Sequence, residues 1–245
     1  MLGKEEIEKT KEIAELLAKG NCVIFSGAGL STESGLADFR SKNGLWKKHD
    51  PSRYCSVDCL ESNYEEFLEF YKARLMVPKG TEPNIGHKLV AKWEANNLVK
   101  GVITQNIDSL HQAAGSKVIA ELHGGLEPIY CHRCGAKSEV HDFVSGTPCR
   151  KCGGHLRTSI VLFGESLPEK DFSLAGRLTQ EAQTMIVLGS SLTVSPANMF
   201  PQMAKNKGSK LVIINRDTTA LDYLADIVLH TGIGEALASV DSFLK

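Results

Sequence analysis

The sequence predicts an α/β protein built on a doubly wound parallel sheet, with a smaller second lobe. Short continuous apolar runs, typical of buried parallel strands, alternate with segments of helical periodicity. Glycine and small polar residues follow each run, and sheets of this kind bind ligands beyond the carboxyl ends of their strands. Two stretches break the alternation, and they predict the second lobe.

The predicted elements of the sheet follow in chain order. Residues 4–19 carry apolar side chains near one face, and Gly20 ends the pattern, so they predict an amphipathic helix. Helical segments at residues 86–97 and 168–183 precede later strands. The apolar runs that predict buried strands are residues 22–25, 99–104, 185–188 and 210–214.

The two stretches outside the alternation differ in character. Residues 41–82 hold aromatic and charged residues in short helical patches, whereas residues 127–157 hold four cysteines and several glycines. We expect these stretches to form a helical module and a metal-binding module of one small domain. The sheet domain would then comprise residues 1–40, 83–126 and 158–245.

The composition excludes several classes of protein. The chain has 245 residues, 28 Lys+Arg against 29 Asp+Glu, and 42% hydrophobic residues, which is ordinary for a folded protein of one to two domains. The net charge of −1 disfavours nucleic acid or an anionic membrane as the main partner. No apolar stretch approaches the roughly 18–20 residues of a membrane span. The charged N-terminal segment lacks a signal-peptide core, so we expect a cytoplasmic location.

The cysteines are unevenly placed and predict a zinc site. Four of the seven form two CxxC pairs with fourteen residues between them: Cys131, Cys134, Cys149 and Cys152. Such pairs in a chain without a secretory signal indicate metal before disulfides. Four thiolates close a tetrahedral sphere and leave no position for a catalytic water, so we expect one structural zinc. Nearby basic residues leave a nucleic-acid-binding zinc ribbon open as an alternative.

A glycine-rich turn follows the first predicted strand. Gly27 and Gly29 permit a tight turn whose N–H groups face a phosphate. However, Thr32 stands where a dinucleotide fingerprint has its third glycine, and no acidic residue ends a second strand roughly twenty residues later. The pattern disfavours a common dehydrogenase, and a purely structural turn fits it equally well.

Polar residues also follow the later strands. Residues 104–108 (TQNID) offer two amides and a carboxylate, while residues 189–191 and 215–217 offer groups suited to phosphate and ribose. His123 precedes the metal-binding module, at the predicted hinge between lobes, where a cleft and a general base would lie. Each of these features also fits an ordinary structural role when considered alone.

The order of these motifs is more distinctive than any one of them. The chain reads GAGLSTESG-x-x-DFR, TQNID, LHG, two CxxC pairs, LFGE, GSSLTVSPA and a strand-end IIN. From about residue 20 to residue 235 this resembles the sirtuins, NAD-dependent protein lysine deacylases, and bacterial and archaeal members most closely. The resemblance implies a Rossmann-like large domain and a small domain of zinc ribbon plus helical module. It also implies NAD as co-substrate, one structural zinc and acyl-lysine proteins or peptides as partners.

The resemblance further implies roles for individual residues. Asn106 and His123 would be catalytic, with His123 as the general base. Val161, Phe163 and Gly164 would pair with the substrate main chain as an added strand. The residues that would bind the cofactor are Gly27, Ala28, Gly29, Thr32, Phe39, Arg40, Gln105, Ile107, Asp108, Gly189, Ser190, Ser191, Asn215 and Ile233.

The chemistry of sirtuins suits these residue types. The acyl oxygen attacks the anomeric carbon of the nicotinamide ribose and expels nicotinamide, so the ring of Phe39 would shield a cation-like centre from water. Asn106 and Asp108 would hold polar groups nearby. An imidazole, with an ordinary pKa near about 6.5, suits the transfer of a ribose hydroxyl proton to His123. Hydrolysis then gives free lysine and O-acyl-ADP-ribose.

One pair of residues bears on the acyl group. Tyr71-x-x-Arg74 matches the pair that binds the acyl carboxylate in sirtuins that remove succinyl or malonyl groups. We therefore expect a deacetylase that also removes acidic acyl groups; the alternative is a helix with one buried tyrosine and one solvated arginine. The sequence departs from the family's pattern at Ala37 and within residues 157–159, where prolines are usual, and neither change removes a chemical group.

Two other functions remain open at this point. Some sirtuin-like proteins favour mono-ADP-ribosyl transfer to protein, and a zinc-ribbon nucleic-acid-binding protein would use the α/β domain as a scaffold. The near-neutral charge disfavours the second of these. We expect neither a membrane nor a direct nucleic-acid partner.

Overall fold

The computed structural model describes residues 2–38, 44, 54–75 and 81–244. The helices are α1 (Lys4–Ala18), α2 (Val57–Ser62), α3 (Tyr64–Leu75), α4 (Ile85–Ala95), α5 (Leu110–Ala114), α6 (Val140–Val144), α7 (Glu169–Glu181), α8 (Met199–Asn206) and α9 (Ile233–Phe243). The strands are β1 (Cys22–Ser26), β2 (Val99–Thr104), β3 (Ile119–Glu121), β4 (Ile129–Cys131), β5 (Lys137–Ser138), β6 (Leu156–Arg157), β7 (Thr184–Leu188), β8 (Lys210–Ile214) and β9 (Ile227–Leu229). Further 3₁₀ helices span Ala28–Ser34 and Asp222–Leu224.

Six parallel strands form the main sheet, in the order β3-β2-β1-β7-β8-β9. This confirms the predicted doubly wound α/β fold, and the four predicted strands are β1, β2, β7 and β8. The chain builds outward from β1 on one side and from β7 on the other, so the strand order reverses between them. Such a switch point opens a crevice at the carboxyl ends of the strands.

The two faces of the sheet bury separate apolar clusters. One cluster packs α1, α4 and α9 on the sheet through residues such as Leu17, Trp93 and Leu237, all fully buried. The other packs α7 and α8 on the opposite face, with Ala175 and Phe200 at its centre. Full burial of a side chain such as Leu17 stabilises the fold by about 1.5–3 kcal/mol. The amphipathic pattern of the first helix is thus explained by the face it buries.

A smaller lobe joins the helical and cysteine-rich stretches around a third cluster. Its antiparallel sheet has the order β5-β4-β6. The fully buried ring of Phe67 on α3 shares this cluster with Ile129, Phe143 and Leu156. The Tyr64 hydroxyl also donates to the Leu156 carbonyl at 2.9 Å. The shared core is what the predicted small domain requires, and the domain boundaries themselves stay a prediction.

Within the described ranges, no helix combines the length and the apolar character that crossing a bilayer would require.

Candidate active site

Two glycine turns interlock at the switch point of the main sheet. The N–H of Gly29, after β1, donates to the carbonyl of Gly189, after β7, at 2.9 Å. Gly189 has φ +65°, and a Cβ there would collide with the main-chain nitrogen of Leu30. A Cβ on Gly27 would approach the Gly189 carbonyl oxygen to 2.7 Å. These positions therefore require glycine, because the backbone of one turn fills the space of the other.

A cavity of about 390 Å³, which we call the first cavity, opens beside the glycine turns. It brings together predicted site residues from well-separated parts of the chain. Those that line it are Gly27, Ala28, Gly29, Tyr71, Arg74, Gln105, Asn106, Ile107, His123, Val161, Phe163, Gly164, Gly189, Ser190, Ser191 and Asn215.

A second cavity, of about 1030 Å³, adjoins the first. Ala28, Asn106 and Ile107 line both cavities, while Asp108 lines the second. The TQNID segment thus lies between the first and second cavities, and the carboxylate of Asp108 lies on the side of the second cavity.

His123 is oriented by the main chain. Its Nδ1 lies 3.0 Å from the carbonyl oxygen of Gln105. Since a carbonyl can only accept, Nδ1 must carry the proton, and the neutral ring then has its lone pair on Nε2. An imidazole held in this tautomer, at the lining of a cavity, is suited to accept a proton.

Gln105 and Asn106 connect the strand ends that surround the first cavity. The side-chain amide of Gln105 donates to the hydroxyl of Ser190 at 2.7 Å, and its main-chain N–H donates to Ser26 at 3.0 Å. The buried side chain of Asn106 donates to the carbonyl of Gly27 at 3.1 Å. These bonds fix the turns after β1, β2 and β7 relative to one another.

Asp108 is held on both carboxylate oxygens. One accepts from the Ser31 hydroxyl at 2.6 Å, and the other accepts from the Leu110 N–H at 3.0 Å. Sequence reasoning did not single out Ser31, although it stands within the GAGLS motif. Its partner shows that this hydroxyl ties the glycine turn to the TQNID segment.

A buried histidine pair behind this segment was also missed. The rings of His87 and His111 lie 5.0 Å apart, and His111 Nε2 is 2.9 Å from the hydroxyl of Ser26, which donates to Thr104. Burial lowers the pKa of His87 to about 4 and that of His111 to about 3. Both rings are therefore neutral at pH 7. No local sequence pattern marks them, because long-range packing brings them together.

Tyr71 and Arg74 lie one helical turn apart on α3, at the small-lobe side of the first cavity. Tyr71 is only 1% exposed, and its hydroxyl has no hydrogen-bond partner among the described residues. Burial raises its pKa well above the usual range. The guanidinium carbon of Arg74 lies 4.4 Å from the centre of the Phe70 ring, and burial lowers the Arg74 pKa without discharging it at neutral pH. Arg74 is half-buried at the lining of both cavities, and its role in acyl recognition stays a prediction.

The LFGE segment reaches both His123 and the small lobe. The N–H of Val161 donates to the carbonyl of His123 at 2.9 Å. Phe163 donates to the Cys55 carbonyl at 2.7 Å and accepts from the Val57 N–H at 3.3 Å. The predicted main-chain pairing of Phe163 with substrate needs correction, because these groups are already bonded within the chain. The Phe163 ring, 48% exposed, is the part that faces outward.

The four predicted metal-ligating thiols converge. Cys131 and Cys152 have sulfur atoms 3.5 Å apart, those of Cys134 and Cys149 are 3.7 Å apart, and all four lie within 4.8 Å of one another. Zinc–sulfur bonds of about 2.3 Å in a tetrahedron separate the sulfur atoms by about 3.8 Å, so the cluster fits zinc. A hydrogen bond from the Gly154 N–H lowers the pKa of Cys152 to about 6, which favours the thiolate. None of the four cysteines lines either cavity, which agrees with a structural ion.

Of the predicted cofactor residues that the structure describes, Thr32 and Ile233 are not among those that line the two cavities. Phe39 and Arg40 lie outside the described residues. The Thr32 hydroxyl donates to the Gly29 carbonyl at 2.8 Å, so it stabilises the turn from within. Ile233 begins α9, is 5% exposed and packs in the core, and its contact with the phosphates or the adenosine end of the cofactor stays a prediction.

Comparison with known proteins gives a consistent result. The Sir2 family model matches residues 27–196. The chain is 49% identical to an NAD-dependent protein deacetylase of Oceanobacillus iheyensis, over 90% of this chain and 94% of that protein. A solved structure that describes the mechanism and regulation of Sir2 enzymes has a TM-score of 0.90, with 38% identity and coverage of 97% and 98%. A Sir2 variant with deacetylated p53 peptide and 3'-O-acetyl-ADP-ribose has a TM-score of 0.89, with 40% identity and coverage of 95% and 97%.

Proposed function

From the premise that this chain belongs to the Sir2 family, we propose how its own residues perform the reaction and which acyl groups they accept. The protein is an NAD-dependent deacylase of lysine side chains in peptides or proteins. NAD would supply a ribose whose anomeric carbon loses nicotinamide as it bonds to the acyl oxygen, and one of whose hydroxyls then receives the acyl group. A structural zinc is held by the four thiols of the small lobe.

His123 acts as the general base. The observation that carries this assignment is its bond to the Gln105 carbonyl, which leaves the lone pair on Nε2 at the first cavity. A base in this position takes the proton of a ribose hydroxyl as that hydroxyl attacks the acyl carbon. Asn106, fixed between the two cavities, orients the reacting groups.

The glycine turns bind the phosphates of NAD. The N–H groups of Gly27 and Gly29 donate to the carbonyls of Leu188 and Gly189 and are not available to a phosphate. The two glycines would instead allow the backbone to come close to the ligand, because they carry no side chain. Ala28, between them, lines both cavities and begins the 3₁₀ helix, so its N–H faces the phosphates at a helix start. Both turns line the first cavity, which supports a phosphate beside their main chain.

The other strand ends bind the rest of the cofactor. Hydroxyls from Ser190 and Ser191 assist at the phosphates, beside Gly189. Further contacts are made by Gln105 and Asn215 toward the riboses and by Ile107 and Asp108 toward nicotinamide. Phe39 and Arg40, which lie outside the described residues, complete the proposed cofactor-binding set.

The acyl range extends to succinyl and malonyl groups. The Tyr71 hydroxyl is buried close to the positive charge of Arg74, and both residues line the first cavity, so an anion that enters there meets a hydroxyl donor and a guanidinium. A carboxylate at the end of an acyl chain suits both groups, since Arg74 can make charge-assisted bonds to it and Tyr71 can donate one hydroxyl. Cys55 lines the same end of the cavity and limits its size.

Matched kinetics on acetyl-, succinyl- and malonyl-lysine peptides test this proposal. We expect Arg74→Met and Tyr71→Phe to lower kcat/KM for desuccinylation at least about tenfold relative to deacetylation, through loss of charged hydrogen bonds. The control is Lys72→Met, on the same helix but bonded to Glu69 at 3.3 Å. Intact desuccinylation in Arg74→Met rejects the acidic-acyl assignment.

Mass spectrometry of the products separates O-acyl-ADP-ribose from ADP-ribose attached to protein.

Neither a membrane nor nucleic acid takes part in the proposed reaction. The net charge of −1 supports this proposal, since electrostatic attraction to either polyanion is weak. We also infer a cytoplasmic location, which a site of four reduced thiols favours.

A further inference from the structure

The buried Arg157 forms an ion pair with the partly exposed Glu165, between the zinc-binding sheet and the LFGE segment. Arg157 is 1% exposed, on β6, where its register partner is Tyr130. Its Nη1 and Nη2 donate to the two carboxylate oxygens of Glu165 at 2.5 and 2.9 Å. The bidentate geometry fixes the direction of the guanidinium as well as its distance. The other hydrogen bonds of the two side chains are made with the main chain of residues 158–162. The pair therefore holds the main chain that leads into the LFGE segment.

The pair closes a turn around Phe163 and Gly164. Glu165 accepts from the Leu162 N–H at 2.8 Å through its side chain, and its own N–H donates to the Leu162 carbonyl at 3.0 Å. Arg157 Nη2 also donates to the Ile160 carbonyl at 2.6 Å. The Arg157 guanidinium therefore holds Ile160 before the turn directly, and it holds Glu165 after the turn through the carboxylate. Gly164 stands at its apex with φ +99°, a conformation that few other residues adopt.

The anchored turn connects the proposed base, the acyl end of the first cavity and the zinc-binding sheet. Val161 is bonded to His123, and Phe163 is bonded to Cys55 at the acyl end of the first cavity. The strand that bears Arg157 pairs with β4, which carries the zinc ligand Cys131. A shift of the guanidinium would therefore move the turn relative to the base and the acyl end together. The NAD-binding turns lie on the other lobe and do not depend on this anchor.

We propose that Arg157 and Glu165 are positioning residues that hold the LFGE turn in the conformation that binds the acyl-lysine peptide. This inference rests on a further proposal, that the LFGE segment binds the substrate peptide at the first cavity, which Val161, Phe163 and Gly164 line. It predicts a selective defect: weaker peptide binding with NAD binding retained. A buried ion pair is poor evidence for stability alone, since apolar residues of similar volume often replace one without loss. Replacing both partners by apolar residues can therefore keep the protein stable while it removes the anchor of the turn, which separates a positioning role from a stabilising one.

The test measures KM for an acetyl-lysine peptide and for NAD, zinc content and unfolding temperature in four variants of the zinc-loaded enzyme. Glu165→Ala leaves a buried guanidinium unpaired and should unfold at lower temperature. Glu165→Gln keeps an acceptor for the Leu162 N–H and should be milder. In the double variant Arg157→Met with Glu165→Met, we expect the unfolding temperature to recover. Its peptide KM should stay raised by about 10-fold or more, because the Leu162 N–H and Ile160 carbonyl lose their charged partners. The KM for NAD should change less than about twofold.

The fourth variant, Gly164→Ala, separates this inference from the proposed function. A raised peptide KM in both Gly164→Ala and the double variant supports the positioning role. If Gly164→Ala raises the peptide KM and the stable double variant does not, the turn binds substrate but the ion pair does not position it, and the inference is overturned. If neither variant changes the peptide KM, the substrate role of the turn fails, and the inference fails with it. Equal increases in the KM for NAD and for peptide would also overturn it.

Discussion

His123 donates its Nδ1–H to the main-chain carbonyl of Gln105, 3.0 Å away. Gln105 is itself fixed, because its side chain donates to Ser190 and its N–H donates to Ser26. The ends of β1, β2 and β7 thus fix the carbonyl that orients the base. Because a carbonyl only accepts, this bond also sets the tautomer of the ring.

Replacement of His123 by alanine removes the base and keeps the cavity. We expect kcat for deacetylation to fall by about 10²–10⁴-fold, the usual contribution of general base catalysis. NAD binding, measured by calorimetry, should remain close to that of the wild type. His141→Ala is the matched control, since His141 is exposed and lines neither cavity. A His123→Ala enzyme with more than a tenth of the normal kcat would remove His123 from this role.

The buried pair His87 and His111 predicts a loss of stability in mild acid. Burial lowers their folded pKa values to about 4 and about 3, below the unfolded value of about 6.5, so the unfolded chain binds more protons in this range. Their contribution is fully present above about pH 6.5 and declines as the pH falls, by up to about 1.4 kcal/mol per pH unit for each ring.

Urea unfolding between pH 7 and pH 5 measures this effect. His87 makes no hydrogen bond through its ring within the described structure, so His87→Leu removes a titrating group at little other cost. We expect the variant to lose less stability than the wild type over this interval. His141→Ala should keep the wild-type slope, and an unchanged slope in His87→Leu would contradict the prediction.

The cysteine cluster predicts one zinc ion per chain. Cys149→Ser should lower both the zinc content and the unfolding temperature, since the metal holds a loop-rich segment whose folding is coupled to binding. Cobalt substitution should give the absorption bands of a tetrahedral thiolate site. Cys22→Ala, in the sheet domain, should keep its zinc. Full zinc content in Cys149→Ser would exclude that residue as a ligand.

Gly189 offers a direct test of the interlocked turns. Gly189→Ala places a methyl group against Leu30 at a residue with φ +65°, so the turn after β1 must move. We expect the KM for NAD to rise at least about tenfold as the backbone shifts away from the phosphates. Gly176→Ala is the matched control, because a Cβ there meets nothing within 4 Å and the residue lies in α7. It should leave KM unchanged and stabilise the helix by about 0.5–1 kcal/mol. An unaltered KM for NAD in Gly189→Ala would argue against phosphate binding at this turn.

The parts of the fold that the sequence predicts well are those with a strong local signal. Continuous apolar runs identified β1, β2, β7 and β8, because strands of a parallel sheet are buried on both faces and are therefore short and apolar almost throughout. The edge strands β3 and β9 have three residues each, too few for a period to be seen. The paired CxxC spacing predicted the thiol cluster, since ligand convergence is encoded locally.

Residues whose role depends on distant partners were harder to predict. His87 and His111 come together only when α4 and α5 pack, and Arg157 meets Glu165 only when β6 pairs in the small sheet. Nothing local in the sequence showed that the Ile233 side chain packs in the core. For Phe163, the sequence did not show that its main chain bonds to residues 55–57.

The most direct measurement is nicotinamide release by the zinc-loaded enzyme with NAD and an acetyl-lysine peptide, each reactant omitted in turn. A lysine acyl group must reach the ribose before nicotinamide leaves, so release should require both reactants and should match the free lysine formed one for one. Release that proceeds equally without peptide, or no release with both present, would contradict the assignment of the first cavity as the deacylation site.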